Sequence, residues 1–499
     1  MTVTAGACAF DPSRARFESI VNILQNPKAA RFSHSEVECL LHAENKELMR
    51  LLFQDHLNLR ADHEPRINGV ADAKGVPRNS VENDKKRQLT MVYGDVDVRR
   101  IAYRRRGDFA NLYPADAILN LPNEQYSFGL RYLAAQESTR GSFEDVVEAI
   151  ERNTGVHLGK RQVEELVQRA AVDFESFYAK LPHSRPDPKD VLILSMDGKG
   201  INMLPNALRD ATAKAARSTK PPTPLSKPDK TNHKRMAEVG VVYYATPVPR
   251  TPGDILSPRD NASGRAKPAP VAKNKWLTAS IVEDAATVIS QVFNEAQRRD
   301  PEHNKTWVAL VDGNKHQIDC IRAEARKRKV KVHIVIDYIH VIEYVWQAAH
   351  SFFDHNDLRA KAWVEENAAS ILAGAAGLVA GAIKRKATCL NLSRAKREGA
   401  DKCNTYLKNK QPYLKYHIAL EQGWPIATGP IEGACRYLIK DRFDITGARW
   451  GLEGAEAVLK LRALRKNGDL EEYWRYHIVQ ERRRNHEALY TGGTIPGLT

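Results

Sequence analysis

The sequence predicts a multidomain α/β protein whose centre is a mixed sheet flanked by helices. Three observations carry this. At 499 residues the chain exceeds what one hydrophobic core organises, so roughly two to four structural units are expected. Between residues 190 and 337, short apolar runs alternate with amphipathic stretches in the order three strands, helix, strand, helix, strand. On both sides of that block the patterning turns largely helical.

Residues 1–85 begin and end with weak patterning. Between them SEVECLLHAENKELMRLLFQ reads as a helix opened by a Ser35/Glu38 capping box. Leu41, Leu48 and Leu52 recur near heptad spacing along it, a stripe that suits packing on its own domain or pairing of two protomers. Residues 86–186 follow. RQLTMVYGDVDVRRIAYRRR alternates on both sides of Tyr93-Gly94-Asp95 and predicts a hairpin, with Val96, Val98 and Ile101 set against Asp97, Arg99 and Arg100. FEDVVEAIERNTGVHLGKRQVEELVQRA then places an amphipathic helix (Val146, Val147, Ile150) before a Thr154-Gly155 turn and a second helix (Val163, Leu166, Val167, Ala170). That is the helix-turn-helix order, with Lys160, Arg161 and Gln162 where a groove-reading helix carries its contacts. A plain helical hairpin accounts for the pattern equally well.

The core block spans 187–345. VLILSMDG, EVGVVYYATPV (238–248), KWLTASIVE (275–283), TWVALVDG (306–313) and VKVHIVID (330–337) read as strands. DAATVISQVFNEAQRR (284–299) and HQIDCIRAEARKRK (316–329) read as helices. Two Pro- and Lys-rich linkers, 211–235 and 250–274, interrupt the block as basic loops suited to a phosphate backbone or to plain solvation. A helical stretch, 346–425, contains AASILAGAAGLVAGAI (368–383), too short for a bilayer and expected as one tightly packed internal helix. Residues 426–466 carry a last helix and a basic motif, and 467–499 a C-terminal tail.

Charge narrows the function. The excess of 76 Lys and Arg over 61 Asp and Glu, +15, fits a polyanionic partner, usually nucleic acid, although such a surplus also serves solubility. The six cysteines form no CxxC pair and no zinc spacing, as in a reducing compartment, and the N-terminus lacks a signal-peptide pattern. No membrane partner and a cytoplasmic setting are expected.

Two apolar strands end alike, LILSMDG at Asp197 and VALVDG at Asp312. Asp-Gly is an ordinary way to leave a strand, but two such acids on neighbouring strands would repel unless a cation lay between them. Oxygen-only ligands select Mg²⁺ or Mn²⁺, and phosphodiester chemistry uses two such ions roughly 4 Å apart. In GPIEGACRYLIKDRFDITGARW, Pro430, with Thr428 or Gly429 as cap, fixes a helix start that puts Glu432 in the first turn, as a third acid or as a macrodipole partner pairing with Arg436. Arg436, Lys440, Arg442, Arg449 and Trp450 then resemble a track for phosphates. Asp337, at the end of VHIVID, is the rival for the second aspartate, and with His340 and Glu343 it forms a trio at three-residue steps. Counting VALVDG as fourth strand and VHIVID as fifth favours Asp312.

Taken together, RQLTMVYGDVDVRRIAYR, PADAILNLP, SMDGKG, VDGN, IDYIHVIEYVW and the closing motif resemble the DDE transposases, more narrowly the ISKra-type insertion-sequence transposases, distantly similar to the Mutator-like group. The resemblance runs from about 87 to 465, and the closing motif is its specific part. It implies an RNase H-like core with a helical insertion at 346–425, and Asp197, Asp312 and Glu432 as catalytic acids holding Mg²⁺ or Mn²⁺. It also implies DNA partners, namely terminal inverted repeats and target DNA, an oligomer of at least two copies on DNA, and a bacterial, nucleoid-associated setting.

Overall fold

The computed structural model describes residues 9–107, 110–182, 187–218, 233–256, 267–354, 356–445 and 447–497. The chain divides into two units, Met1–Lys180 with Gly468–Thr499, and Leu181–Asn467. The 467–499 segment, expected as a tail, holds a helix, Leu470–Asn485, whose Leu470, Tyr473, His477 and Glu481 are buried within the first unit.

In that first unit Ser33, not Ser35, opens the long helix His34–Asp62. The Ser33 N–H donates to Glu36 at 2.7 Å, and the Glu36 N–H donates back to the Ser33 hydroxyl at 3.3 Å. Two overlapping S-x-x-E boxes stand in FSHSEVE, and the upstream one starts the helix two residues sooner. Only Asp55 and Leu57 are buried along it, so the leucine stripe is mostly open. Strands β1 (Ser80–Met91) and β2 (Gly94–Arg104) form the expected hairpin, begun earlier than expected, with Met91 facing Gly94 across a Val92-Tyr93 turn. Gly94 holds φ +116°, a conformation that favours glycine. Val96 and Val98 pack with Leu57, Leu89 and Met91, whereas Ile101 joins the cluster around Tyr103. The period of two puts 101 on the face opposite 96 and 98, which corrects the single-face grouping.

Helices Phe143–Thr154 and Lys160–Ala170 follow, joined through Gly155 at φ +75°, and Phe128–Ser138 packs on both. Beneath them Arg131, fully buried, donates to Glu481 at 2.6 Å and lies 3.0 Å from the His477 ring, whose other nitrogen is 2.7 Å from Asp173.

The second unit is built on a five-stranded mixed sheet in the order β5-β4-β3-β6-β7, made of β3 (Val191–Asn202), β4 (Lys234–Ala245), β5 (Ala272–Ser280), β6 (Trp307–Val311) and β7 (Val332–Ile336). β3 pairs antiparallel with β4 and parallel with β6, and β6 pairs parallel with β7. Every residue of β6 is buried, as its unbroken apolar run requires. β3 does not stop at Asp197. It continues to Asn202 along β4, and only its parallel pairing with β6 ends near the aspartate.

Helix Ala285–Arg299, capped by Asp284, packs on β3, β4 and β5, and Lys315–Lys327 packs on β7. Of the two basic linkers, 211–218 are helical, while 219–232 and 257–266 lie outside the described residues. The expected 368–383 helix is two, Leu358–Leu372 and Ala376–Cys389. Gly374 breaks it at φ +91°, where a Cβ would come within 2.4 Å of the His417 ring. Among the described residues no helix is long and apolar enough to cross a membrane.

Candidate active site

The strand register aligns three acids. The last β3–β6 pair is Ser195 with Leu310, and two residues further on each strand lie Asp197 and Asp312. The last β6–β7 pair is Val311 with Ile336, and one residue further lie Asp312 and Asp337. Three carboxylates thus stand in a row across neighbouring parallel strands, which are spaced about 4.8 Å apart. The row and Glu432 line one cavity of about 200 Å³, together with Thr428, His340 and Glu343.

Each acid is held differently. Asp197 accepts the Gly198 N–H on Oδ1 at 2.7 Å, and Oδ2 accepts the Cys435 thiol at 3.3 Å. Asp312 accepts the Asn314 N–H at 2.9 Å, while its carbonyl takes the Tyr406 hydroxyl at 3.1 Å. Gly313 leaves this strand end at φ +95°, with Tyr406 so close that a Cβ would meet its hydroxyl at 2.9 Å. Asp337 is only 3% exposed and is surrounded by donors. It caps the Tyr338–Ala349 helix by accepting the Ile339 N–H at 2.8 Å, and it takes both the N–H of Thr428, at 3.3 Å, and its hydroxyl. The rival second aspartate is therefore bonded as a brace, whereas the Asp312 carboxylate is half-buried with one donor among the described residues, the Asn314 N–H, and both line the cavity.

Glu432 reaches the cavity from the short helix Gly429–Ala434, with Pro430 in its first turn as expected. Thr428 precedes it and makes no side-chain cap. Its hydroxyl lies between Asp337 and Glu432, 3.2 Å from the latter. The helix then widens into a π-helical turn, Cys435–Lys440, an irregularity frequent at functional sites. That turn carries the Cys435 thiol to Asp197 and leaves Arg436 beside Asp441 at 3.8 Å rather than paired with Glu432. Burial, and then the Asp197 charge, push the Cys435 thiol far above its ordinary range, so it stands as a neutral donor.

The basic residues divide. Arg436, Lys440 and Arg449 are exposed. Arg442 and Trp450 are not a phosphate track, being 2% and 4% exposed. The Arg442 guanidinium lies 4.4 Å from the Trp450 ring centre, and the Trp450 backbone N–H donates to the Asn202 carbonyl at 3.2 Å. The backbone bond pins this segment to the end of β3, and the indole face offsets the cost of burying the Arg442 charge. In the first unit Lys160 and Arg161 face solvent, bonded to Glu144 and, at 3.1 Å, to Glu165, and Gln162 is half-buried.

Sequence reasoning offers Thr428 only as a cap of the Glu432 helix, a role its side chain does not take, and it missed Cys435 and Glu238. The last stands on β4 opposite Gly198. Burial, with the nearby Asp197 charge adding to it, raises the Glu238 carboxyl against the pull of Arg209. Among the described residues no group of three or more His, Cys, Asp or Glu is gathered as metal ligands. The donor set still fits Mg²⁺ or Mn²⁺: hard carboxylate oxygens surround one small cavity, and like charges stay apart until a cation joins them. No protein-family model matches the chain, and no curated protein matches it.

Proposed function

We propose that the chain is a DDE-type DNA transposase with an RNase H-like core, which cuts at the ends of its element and joins the freed 3′ hydroxyl to target DNA. One observation carries this reading: Asp197, Asp312 and Glu432, from two parallel strands and a distant helix, line a single cavity. Asp197, Asp312 and Glu432 would hold Mg²⁺ or Mn²⁺, which when bound activates the attacking oxygen and stabilises the leaving one. The protein's part is placement. Asp337 and Thr428 brace the start of the Glu432 helix, and the Cys435 thiol orients Asp197. Glu432 itself is exposed, which leaves room for a duplex to approach.

End recognition falls to residues 86–186, with Lys160, Arg161 and Gln162 opening the second helix of the pair. Arg436, Lys440 and Arg449 track phosphates beside the acids. Two element ends call for at least two copies on DNA.

The test is an end-containing duplex, taken from the inverted repeats flanking the reading frame, incubated with Mg²⁺. Cleavage and strand-transfer products are expected, lost in Asp197→Ala and Glu432→Ala while end binding persists. Hydrolysis without joining would identify a structure-specific nuclease instead, and full activity in Asp197→Ala would leave only a DNA-binding protein.

A further inference from the structure

Arg462 stands on the helix Leu452–Asn467, is 7% exposed, and reaches the backbone of the π-helical turn Cys435–Lys440. Its Nε donates to the Leu438 carbonyl at 3.0 Å, and a terminal nitrogen donates to the Tyr437 carbonyl. In an α-helix the Tyr437 carbonyl would take the Asp441 N–H, four residues on. Here that N–H reaches the Arg436 carbonyl, five residues back, which is the bond that makes the turn π-helical. Arg462 supplies the donor that the Tyr437 carbonyl loses. Burial draws the Arg462 pKa down to about 10 against the pull of Asp441, so the group is charged at neutral pH.

The helix that carries Arg462 is itself fixed to the sheet. Its Glu456 takes the Ser280 hydroxyl at 3.0 Å and the Ile281 N–H at 2.8 Å, and its Asn467 bonds to the Leu277 backbone in both directions, at 2.8 and 3.0 Å. Lys466, one turn after Arg462, lies 4.6 Å from the Tyr437 ring centre. The two ends of the π turn are held by different neighbours. Before it, Glu432 lines the acidic cavity and Cys435 donates to Asp197 at 3.3 Å. After it, Arg442 lies over Trp450, whose ring also meets Phe443 with centres 4.4 Å apart. A turn closed five residues on takes up one residue more than a turn closed four residues on. Tightened to α, it would rotate one end against the other by about 100°, and both sets of contacts could not be kept.

We propose that Arg462 is a positioning residue for the acidic site: its guanidinium holds the π turn open, and the open turn lets Glu432 and Cys435 face the acids while Arg442 stays on Trp450. This rests on the reading of Asp197, Asp312 and Glu432 as metal acids, and it makes their metal site depend on a helix fixed to the far edge of the sheet.

The test compares full-length Arg462→Met, which has no donor, with Arg462→Lys, which keeps a charged donor but not the fork. Both should bind the end-containing duplex in Ca²⁺ as the unaltered protein does. In Arg462→Met the Mg²⁺ needed for half-maximal cleavage is expected to rise about tenfold, as when a group that orients metal ligands is lost. Arg462→Lys should fall between it and the unaltered protein. Backbone hydrogen exchange over 435–443 should quicken in Arg462→Met while the strands keep their protection. Unchanged exchange there, a loss of protection throughout the second unit, or an equal Mg²⁺ requirement in all three proteins overturns the proposal and leaves the transposase reading standing. Should Arg462→Met fail to fold, Arg462→Lys decides, and a requirement equal to that of the unaltered protein overturns the proposal. If the unaltered protein does not cleave, the catalytic reading fails. The role of Arg462 is then read from Mn²⁺ bound by the protein alone, expected to weaken in Arg462→Met, and unchanged binding overturns it too.

Discussion

Asp312 and Asp337 are neighbours in one row of carboxylates, yet the protein bonds them unequally. Asp337, 3% exposed, takes three donors from Ile339 and Thr428, whereas the Asp312 carboxylate takes the Asn314 N–H. Asp337→Ala should therefore lower unfolding stability by about 1–3 kcal/mol in metal-free buffer, through a lost helix cap and stranded buried donors. Asp312→Ala should stay within about 1 kcal/mol of the unaltered protein, since it removes a like charge beside Asp197 along with one exposed hydrogen bond. Urea unfolding of both variants decides it, and equal losses would erase the distinction between brace and ligand. Thr428 can be separated in the same way. Thr428→Val should weaken cleavage and raise the Mg²⁺ needed for it, because the hydroxyl between Asp337 and Glu432 is gone, and Thr428→Ser should restore both.

Among elements, the end of β6 is closely packed against Tyr406. Gly313 is needed there twice, for φ +95° and because a Cβ would sit 2.9 Å from the Tyr406 hydroxyl. Gly313→Ala should destabilise the second unit by roughly 1–3 kcal/mol and displace Tyr406, a shift readable in tyrosine fluorescence and in thermal unfolding. In the first unit the C-terminal helix is tied in by charge. Burial pushes the Glu481 carboxyl up, but Arg131, then His477 and Arg484, outweigh it and hold the group below its ordinary value of 4.5. With the folded pKa depressed, the folded state binds fewer protons. The stabilisation is thus present above the unfolded value and lost as pH falls through the folded one. Glu481→Gln should lower the unfolding temperature at pH 7, and the gap should close on acidification below about pH 4. A gap independent of pH would show that packing, not charge, holds this helix.

For the whole molecule, a net charge of +15 predicts DNA binding that weakens steeply with salt. A footprint of several phosphates should cost on the order of a thousandfold in affinity between roughly 50 and 200 mM salt, measured on an end-containing duplex, and a flat response would exclude a backbone-tracking surface. Much of this molecule is readable from local pattern alone. The five strands and their alternation with helices follow from apolar runs such as WVALV, because a strand covered on both faces has to be apolar throughout. Asp197, Asp312 and Glu432 stand out for a related reason: an acid beside an apolar run, or leading a basic helix, is conspicuous. Other features needed the folded chain. Of the two overlapping capping boxes sequence alone does not choose Ser33, and whether 368–383 is one helix or two depends on neighbours such as His417, which lies elsewhere along the chain. Arg442 and Trp450 look like surface groups in sequence and lie inside, Arg442 over the Trp450 ring and the Trp450 backbone bonded to the end of β3. Composition and periodicity determined the elements and the chemical types at their ends, since those depend on each segment's own exposure to water. Register across β3, β6 and β7, the thiol at Asp197 and the hydroxyl beneath Glu432 came from the fold, since contacts between remote segments are set by how the whole core packs.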